Sequence, residues 1–422
     1  MVKHKRSSTA LTGTEKPKLF YGWTVVAASF CIMLVIGGIV SIFGVFFKPL
    51  STDFGWTRTI ISGAFSLYSL LFGIAAIITG RLNDKFGPRI LLTVCGLFAG
   101  LGFLLMSQIS TIWHLYLFFG VLIAIGNSGF WSPIVSTLAR WFVKRRGMVI
   151  GIAASGAGLG RTIMPLLATW LISIYGWRNT SIIISILVLV LVLSAAQLLK
   201  RDPRQIGQLP YGESEVEQES LVPGASGFSL KEVIHTRQFW MLCAAYLLFG
   251  ICTGTILVHL VPHAIDLGIS AAVAAGIMAT TGGIYIVGTI IMGGVADRIG
   301  NRLTFISAFI VLVASFAWLL VAKEMWMLHL FAVIFASAWA GIAVLQSMLV
   351  AESFGMRSLS LITGILVFSF SIGSTIGPTM AGYIFDTTGS YQRHFLISVA
   401  VSTISLILVF FLRPISEKEG TS

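Results

Sequence analysis

Charged residues are scarce in this sequence of 422 amino acids. Asp, Glu, Lys and Arg make up 10% of the chain, hydrophobic residues make up 56%, and the mean hydropathy is +0.93. A soluble globular domain carries about 25% charged residues, so this chain has too few to cover the surface of a water-soluble fold. The shortage excludes a soluble enzyme, a nucleic-acid-binding protein and a disordered scaffold as descriptions of the whole chain.

The sequence also lacks the motifs of metal and cofactor sites. Its four cysteines lie inside apolar runs without metal-ligand spacing, so we interpret them as free, packed thiols. The glycine-rich stretches follow no strand and precede no Gly-Lys-Ser/Thr, so an ATP-binding loop is not expected. No small-residue cleavage site precedes the first apolar stretch, and we expect no cleavable signal peptide. We therefore expect no metal, no cofactor and no catalytic residues.

Long hydrophobic runs dominate the rest of the chain. A membrane-spanning helix needs about 20 mainly apolar residues, and twelve runs meet this criterion. These predicted spans lie at 22–47, 60–79, 90–108, 112–137, 148–174, 178–199, 237–263, 271–294, 303–322, 325–350, 360–384 and 394–412.

The basic residues predict the orientation of these spans. With the N-terminus inside, 22 of the 28 Lys and Arg residues lie on the cytoplasmic side and 5 on the outside, while Arg161 falls within a span. Cytoplasmic loops carry an excess of Lys and Arg. We therefore expect both termini in the cytoplasm and the chain in the cytoplasmic (inner) membrane, and the net charge of +12 needs no nucleic acid to explain it.

An internal repeat relates the two halves of the chain. A shift of 213 residues aligns their landmarks without a gap across five spans. The coinciding pairs include Gly37 and Gly250, Pro49 and Pro262, Gly55 and Gly268, Trp113 and Trp326, Gly160 and Gly373, and Pro165 and Pro378. Parallel repeats of this kind occur in transporters that rock one half against the other about a site at the membrane midplane.

The repeat and the polar segments together predict the organisation of the chain. The fold class is an all-α membrane protein with twelve transmembrane helices in two six-helix repeats. The expected parts are an N-terminal tail at 1–19, six-helix bundles at 20–199 and 237–413, a linker at 200–236 and a tail at 414–422. The linker contains three prolines and an acidic run, which is a flexible composition.

The loops at 80–89 and 293–302 resemble the signature loops of the major facilitator superfamily, which occur in both halves of its members. The resemblance implies the major facilitator fold, with charge pairs at these loops that hold the cytoplasmic side shut. The residues expected to act in this gating are Gly80, Asp84, Gly87, Arg89, Gly293, Asp297, Gly300 and Arg302.

A finer resemblance is to the branch of monocarboxylate transporters and oxalate:formate antiporters. The Tyr-Gly-Trp at 21–23 and the Trp-Phe-Val-Lys-Arg-Arg-Gly at 141–147 are similar to signatures of that branch. Well-studied carriers of the branch have a lysine in the first span and an acid–arginine pair in the eighth. Ser41 and Thr289 occupy the matching lysine and arginine positions here, so the resemblance leaves the identity of the substrate open.

Arg161 is the strongest candidate for a substrate-binding residue. It lies about 20 Å from the inner end of the fifth span, at 1.5 Å per residue, and a charge at that depth costs about 2.5–3.5 kcal/mol or more. No Asp or Glu falls at membrane depth, which disfavours a cationic substrate and leaves a carboxylate substrate as the natural partner. The alternative is an arginine tied to backbone carbonyls around Gly160 and Pro165. The repeat partner is Ser374, so only one half carries the charge.

Two histidines and several other deep polar residues complete the candidate site. His259 and His263 lie four residues apart on one face of the seventh span, where they are the titratable groups placed to relay a proton. A metal is disfavoured because no HExxH motif and no neighbouring Cys or acid accompanies them. Further candidates for substrate binding, besides Arg161 and His259, are Asn127 and Trp131 in span four, Tyr285 in span eight and Gln346 in span ten.

These observations predict a secondary transporter that moves a small organic anion, such as lactate or pyruvate, with a proton by alternating access. Anion exchange of the oxalate/formate type and export of neutral or amphiphilic compounds are the alternatives. A transporter-shaped sensor is disfavoured because the linker carries no recognisable signalling module. We expect a monomer in the lipid bilayer that binds no nucleic acid.

Overall fold

The computed structural model describes residues 20–143, 145–212, 228, 230–355 and 359–412. Within these ranges the regular structure is helical, apart from isolated bridge residues at Phe142, Tyr211 and Gly355. The helices are α1 Gly22–Phe54, α2 Arg58–Phe86, α3 Pro88–Met106, α4 Ile112–Trp141, α5 Arg146–Leu198, α6 Leu230–Val233, α7 Arg237–Asp266, α8 Ala271–Ile299, α9 Asn301–Leu319, α10 Met325–Phe354, α11 Leu359–Thr388 and α12 Gln392–Phe410.

Every one of these helices except the short α6 is long and apolar enough to cross a membrane. Helix α5 contains two crossing lengths, because Gly176 interrupts its helical backbone with φ of 74°. About 30 residues precede this kink and about 22 follow it, which at 1.5 Å per residue gives about 45 Å and 33 Å. The described chain therefore holds twelve crossing segments, and the predicted all-α membrane fold is confirmed.

Helix α4 departs from a regular α-helix at two places. Residues 116–123 (Tyr116–Ile123) form wider turns of the π type, and the helix is interrupted at Gly129 before it resumes at Trp131. Such π-type stretches occur often at functional sites. As a result, Asn127 and Trp131 do not lie on one continuous helical face: Asn127 is buried, whereas Trp131 is 56% exposed.

Backbone geometry repeats at the 213-residue spacing found in the sequence. The glycines that terminate or kink corresponding helices all adopt positive φ, a conformation that side chains disfavour. The φ values are 64° at Gly55 and 84° at Gly268, 80° at Gly87 and 87° at Gly300, and 74° at Gly176 and 69° at Gly389. The same chain reversals therefore recur at equivalent points of the two halves.

Glycines also allow close helix packing inside each half. A Cβ on Gly160 of α5 would collide with the carbonyl oxygen of Leu34 in α1, and a Cβ on Gly373 of α11 would collide with that of Leu247 in α7. These two contacts are again related by 213 residues. Small residues let helices approach closely in a membrane, where association depends on van der Waals packing rather than on the hydrophobic effect.

The bundle has two chemically different ends. We define the basic end as the one where α2 meets α3 and α8 meets α9, next to Arg89, Lys200 and Arg302, and the other as the opposite end. Across the described membrane helices, each carboxylate residue lies near a helix end. Those at the opposite end are Asp53, Asp266, Glu324 and Asp386.

The two halves contact each other mainly through α2 with α11 and through α5 with α8. Near the middle of the bundle, a Cβ on Gly282 of α8 would meet the backbone of Thr162, and one on Gly158 would meet Ile286. Hydrogen bonds and ion pairs that join the halves, among described residues, involve Lys48, Arg58, Thr59, Ser62, Ser66 and Ser69 on the N-terminal side. These residues lie between the opposite end and the middle, so direct contacts close the opposite end.

Candidate functional site

Arg161 lies at the contact between the two halves, with its guanidinium against aromatic rings of the other half. Its Cζ atom is 4.8 Å from the centroid of the Tyr285 ring in α8 and 4.4 Å from that of Trp339 in α10. The two rings pack edge to face with centroids 5.5 Å apart. A cation over aromatic faces is attracted by the ring quadrupoles, so the rings hold the guanidinium in place without neutralising it.

The Arg161 guanidinium has unused hydrogen-bond donors. Its Nε and one terminal nitrogen are buried and have no acceptor among the residues that the structure describes. The alternative expectation, an arginine tied to carbonyls around Gly160 and Pro165, is not observed for these two nitrogens. A buried, unsatisfied charged group is costly, and an arginine presents its donors in a planar arrangement that matches a carboxylate. The site therefore has the chemistry to bind an anion.

Two polar side chains of the N-terminal half lie near this guanidinium. Tyr68 of α2 is within electrostatic range of Arg161 and accepts a hydrogen bond from Nδ2 of Asn127. The Asn127 Oδ1 atom is buried without a donor in the described part of the chain. The predicted residues Arg161, Asn127 and Tyr285 are thus brought to one region, and Tyr68 and Trp339 join them.

The two positions at which the resemblance implied a lysine and an arginine are neutral here. Ser41 donates to the carbonyl of Gly37 at 3.3 Å, and Thr289 donates to that of Ile286 at 2.7 Å, so both hydroxyls bond to their own helices. Ser374, the repeat partner of Arg161, lies 3.3 Å from the hydroxyl of Ser69. Within the described part of the chain, the positive charge near these rings therefore comes from Arg161 of the N-terminal half.

Trp131 and Gln346 make no observed contact with the Arg161 guanidinium among the described residues. Trp131 is largely exposed at the point where α4 resumes. Gln346 is seven residues beyond Trp339, which is two turns along the same face of α10 toward the basic end. Its Nε2 atom is buried with no acceptor among described residues. A substrate role for these two residues stays a prediction.

His259 lies in the contact that closes the opposite end, and its side chain is buried. Its Nε2 atom is 2.9 Å from the carbonyl oxygen of Pro378 and 3.0 Å from the hydroxyl of Ser62, and its Nδ1 atom is 2.8 Å from the hydroxyl of Tyr391. A carbonyl can only accept, so Nε2 carries the proton and Nδ1 accepts from Tyr391. These contacts describe a neutral imidazole between the halves.

Arg58 lies in the same contact between the halves as His259, where it interacts with two acids and two aromatic rings. It donates from one terminal nitrogen to the Tyr391 hydroxyl and pairs with Asp266 at 2.7 Å through the other. Its Cζ lies 3.6 Å from the centroid of the Phe385 ring, and its side chain is only 12% exposed. Arg58 belongs to the N-terminal half and its partners to the other half. We refer to Arg58, His259, Asp266, Asp386 and Tyr391 as the Arg58 cluster.

Asp386 contributes to the cluster by capping a helix of the other half. Its Oδ1 atom accepts from the backbone N–H of Arg58 at 3.0 Å, and Oδ2 accepts from that of Thr59 at 2.8 Å and from the Thr59 hydroxyl. The first N–H groups of a helix lack partners within the helix, and the helix dipole favours a negative charge there. The carboxylate on α11 therefore stabilises α2 only while the opposite end is closed.

Tyr391 donates within the cluster, and two more histidines, His263 and His394, lie beside it. Burial raises the pKa of Tyr391, although the neighbouring Arg58 guanidinium lowers it, so the phenol keeps its proton as a donor to His259. The His263 ring packs edge to face against Tyr391 and Phe395, and its Nε2 has no partner in the described part of the chain. Nε2 of His394 lies 3.0 Å from the Thr255 hydroxyl. No metal-binding group of three His, Cys, Asp or Glu residues occurs among the described residues.

The predicted gating loops lie at the basic end. Gly87 and Gly300 form the turns after α2 and α8, and a Cβ on Gly80 or Gly293 would meet nothing within 4 Å. Arg89 donates to Gln197 of its own half, and Arg302 donates to the carbonyl of Phe410. The side chains of Asp84 and Asp297 lie outside the described residues. The predicted charge pairs across these loops stay a prediction.

Sequence reasoning did not single out Tyr68, Trp339, Arg58, Asp386 or Tyr391. The aromatic residues carry no signal in apolar spans, where large side chains are common. Arg58 and Asp386 stand at helix ends, where charged residues are ordinary. The one available signal was the histidine pair in α7, because a buried histidine in a membrane helix needs polar partners.

Comparisons with known proteins agree with this architecture. A family model described as Major Facilitator Superfamily matches residues 29–284 and 260–422. The chain is similar to monocarboxylate transporter 12 of Mus musculus, with 27% identity over 100% of this chain and 90% of the relative. It is also similar to monocarboxylate transporter 13 of Rattus norvegicus, with 27% identity over 92% of this chain and 88% of the relative.

Solved structures share the fold. A bacterial homologue of the human lysosomal transporter Spinster, in an inward-facing and unoccupied conformation, matches with a TM-score of 0.69 and 18% identity over 94% of this chain and 95% of that one. A mutant of the nucleoside transporter NupG matches with a TM-score of 0.73 and 13% identity over 93% of this chain and 99% of that one. At these identities the likeness concerns the fold alone.

Proposed function

The chain belongs to the Major Facilitator Superfamily, and from that membership we propose that it is a secondary transporter that carries a small monocarboxylate such as lactate or pyruvate across the cytoplasmic membrane. It is a multi-pass membrane transporter rather than an enzyme. The relatives named above are monocarboxylate transporters. Their names support the class of cargo, and the chemistry of the site supports it independently.

The observation that carries the proposal is the unsatisfied guanidinium of Arg161. Two of its nitrogens are buried without acceptors, and aromatic rings of the other half hold it. The described membrane helices offer no carboxylate at that depth. A substrate carboxylate would supply the missing acceptors through charge-assisted hydrogen bonds. A neutral or cationic cargo would leave the charge unpaired.

Alternating access follows from the distribution of inter-half contacts. We place the basic end in the cytoplasm, because cytoplasmic loops carry the excess of Lys and Arg. The Arg58 cluster then closes the external side, and this conformation faces inward. The cluster has to break for the site to open outward, since its residues belong to both halves.

His259 is the proposed proton site. In the closed cluster the imidazole of His259 is neutral: Nε2 donates to the carbonyl of Pro378, and Nδ1 accepts from Tyr391. A proton on Nδ1 would remove that acceptor and place a positive charge beside Arg58. The acids Asp266 and Asp386 are already bonded to other partners, so neither is free to offset this charge. The other titratable groups nearby are His263 and His394. Protonation therefore favours the outward-open state. When the cluster closes, His259 has to give up this proton toward the binding site, so that the proton crosses together with the carboxylate. A proton that moves with a carboxylate makes transport electroneutral.

The test is uptake of labelled lactate into proteoliposomes, with and without an inward proton gradient. We expect Arg161→Gln to reduce uptake to the level of empty liposomes, because truncating one partner of a buried charge pair costs about 2–5 kcal/mol. Arg161→Lys should also be strongly impaired, since an ammonium cannot form the planar paired contact. Arg393→Gln is the matched control, because it removes an arginine that is exposed at the opposite end.

The outcomes separate the candidate mechanisms. Uptake that requires both the gradient and Arg161 supports proton-linked carboxylate transport. Uptake that needs Arg161 but responds only to anions loaded inside supports anion exchange. Failure to transport lactate and a panel of short carboxylates, or full activity of Arg161→Gln, contradicts the anion assignment and favours an exporter of neutral or amphiphilic compounds.

A further inference from the structure

A pocket of about 430 Å³ opens at the basic end, on the N-terminal half and away from the Arg161 site. It lies between the turn that joins α2 to α3 and the start of the linker after α5. The residues that form its polar side are Arg89, Lys200, Arg201 and Gln205. Gly87 forms part of the floor, and its positive φ lets the chain turn tightly there.

Among the described side chains, no carboxylate forms an ion pair with the cations of this pocket. The two ion pairs found among described side chains both involve Asp266 at the opposite end. Arg89 instead donates to the Gln197 amide at 2.7 Å, and the ammonium of Lys200 lies 4.8 Å from the centroid of the Tyr21 ring. Both contacts leave the positive charge in place. The pocket therefore has the charge to bind an anion.

The start of α3 adds further donors to the same pocket. Gly87 precedes α3 without providing a side-chain cap, and Pro88 occupies its first turn. The backbone N–H groups of a first turn have no acceptor within the helix. Arg89 and Ile90 line the pocket and carry such N–H groups, whereas Pro88, which also lines it, has none. This arrangement supplements the three cationic side chains, which remain the principal feature.

An apolar groove of about 240 Å³ continues directly from the pocket. Phe86 and Ile90 line both, so the two spaces meet at these side chains. Leu82, Leu91 and Val94 complete the groove, which has no polar lining and runs along α2 and α3 toward the middle of the membrane. Phe86, Ile90 and Val94 are each more than 40% exposed, so the groove faces the surroundings of the bundle.

We propose that this pocket and groove form a binding site for an anionic phospholipid. The phosphate lies among Arg89, Lys200 and Arg201, and an acyl chain lies in the groove between Leu82 and Val94. Basic pockets at the cytoplasmic side of membrane helices bind anionic head groups. The continuity of a cationic pocket with a lipid-facing groove favours a whole lipid over a free phosphate, which would leave the groove unused. The proposal does not depend on the identity of the cargo.

The test is native mass spectrometry of the delipidated full chain, with phosphatidylglycerol and phosphatidylcholine of the same acyl composition. We expect preferential binding of phosphatidylglycerol, and a loss of affinity of about fivefold for each cation removed in Lys200→Gln/Arg201→Gln. The control Arg298→Gln/Arg302→Gln removes two positive charges at the same end but outside the pocket, and it should bind like the wild type.

A second variant tests the groove. Val94→Trp would fill the groove, so it should weaken binding of long-chain phosphatidylglycerol but not of the dihexanoyl form. Equal binding of the two lipid classes, or equal loss in both double variants, would overturn the proposal. Displacement of the long-chain lipid by millimolar inorganic phosphate would show a phosphate pocket only, and would overturn the assignment of the groove.

Discussion

Removal of the Asp386 carboxylate should open the opposite end of the bundle. The carboxylate accepts from two backbone N–H groups at the start of α2 and from the Thr59 hydroxyl, all in the other half. A hydrogen bond to a charged group contributes about 1.5–3 kcal/mol, and a charge at a helix N-terminus about 0.3–1 kcal/mol. Water replaces part of this in the open state. We expect Asp386→Ala to shift the equilibrium by about 2–4 kcal/mol, which is a factor of roughly 30 to 800.

The shift can be measured as a distance between the halves at the opposite end. Spin labels on Ser110→Cys and Lys323→Cys report it, because both positions are exposed at that end. Cys31, the exposed native cysteine, is replaced by serine first, since the other three are buried. The matched control is Asp53→Ala, because the Asp53 carboxylate accepts from Trp177 within the same half.

The wild type should show one short distance, and Asp386→Ala should show a second, longer one as a major population. Asp53→Ala should keep the wild-type distribution. An unchanged distribution in Asp386→Ala would mean that the cap does not stabilise the closed state, and the account of the Arg58 cluster would be wrong. A longer distance in both variants would indicate a general loosening instead of an effect of the cap.

Three further predictions concern the site, the coupling and the packing. Trp339→Leu should weaken lactate binding about 2- to 30-fold, because a cation–π contact contributes about 0.5–2 kcal/mol; isothermal titration should show no such loss for the exposed Trp326→Leu. His259→Gln should abolish the stimulation of uptake by a proton gradient but retain exchange of labelled for unlabelled lactate. Stimulation that persists in this variant would show that another residue binds the proton. Gly160→Ala should lower the thermal unfolding temperature by several degrees, because the added Cβ meets a backbone carbonyl. The control Gly151→Ala should leave this temperature unchanged, because Gly151 has open space around it. Equal effects of the two variants would contradict the packing argument.

The fold was predictable because its signals are local or periodic. Apolar runs of membrane-crossing length predict the helices, and the constant spacing predicts that Gly160 and Gly373 have the same role. The break expected between the spans at 148–174 and 178–199 is observed, because Gly176 interrupts the helical backbone there. Charge scarcity made Arg161 conspicuous, since a cation deep in an apolar run needs a partner to offset the cost of burying it.

The partners of these residues were not predictable from the sequence. Arg58 and Asp386 are 328 positions apart and meet only in a closed conformation. Trp339 is one of eleven tryptophans, and nothing in the order of residues distinguishes it from those at the membrane surface. His259 was singled out by its chemical type and its depth. Its place between the halves depends on tertiary structure. Only the packing of the helices determines whether this histidine lies near Arg161 or in the contact that closes the opposite end.

The close crossing of α5 and α8 at Gly158 and Gly282 has a mechanical consequence. In a rocking motion, displacement is smallest near the point where two rigid bodies touch and grows with distance from it. Arg161 lies directly beside this crossing, whereas the Arg58 cluster lies near the far end of the bundle. The guanidinium and its two rings therefore stay together while the ends separate by many ångströms. Under the proposed function, one binding geometry would then face either end of the bundle in turn, and the cargo would not have to be released and recaptured midway.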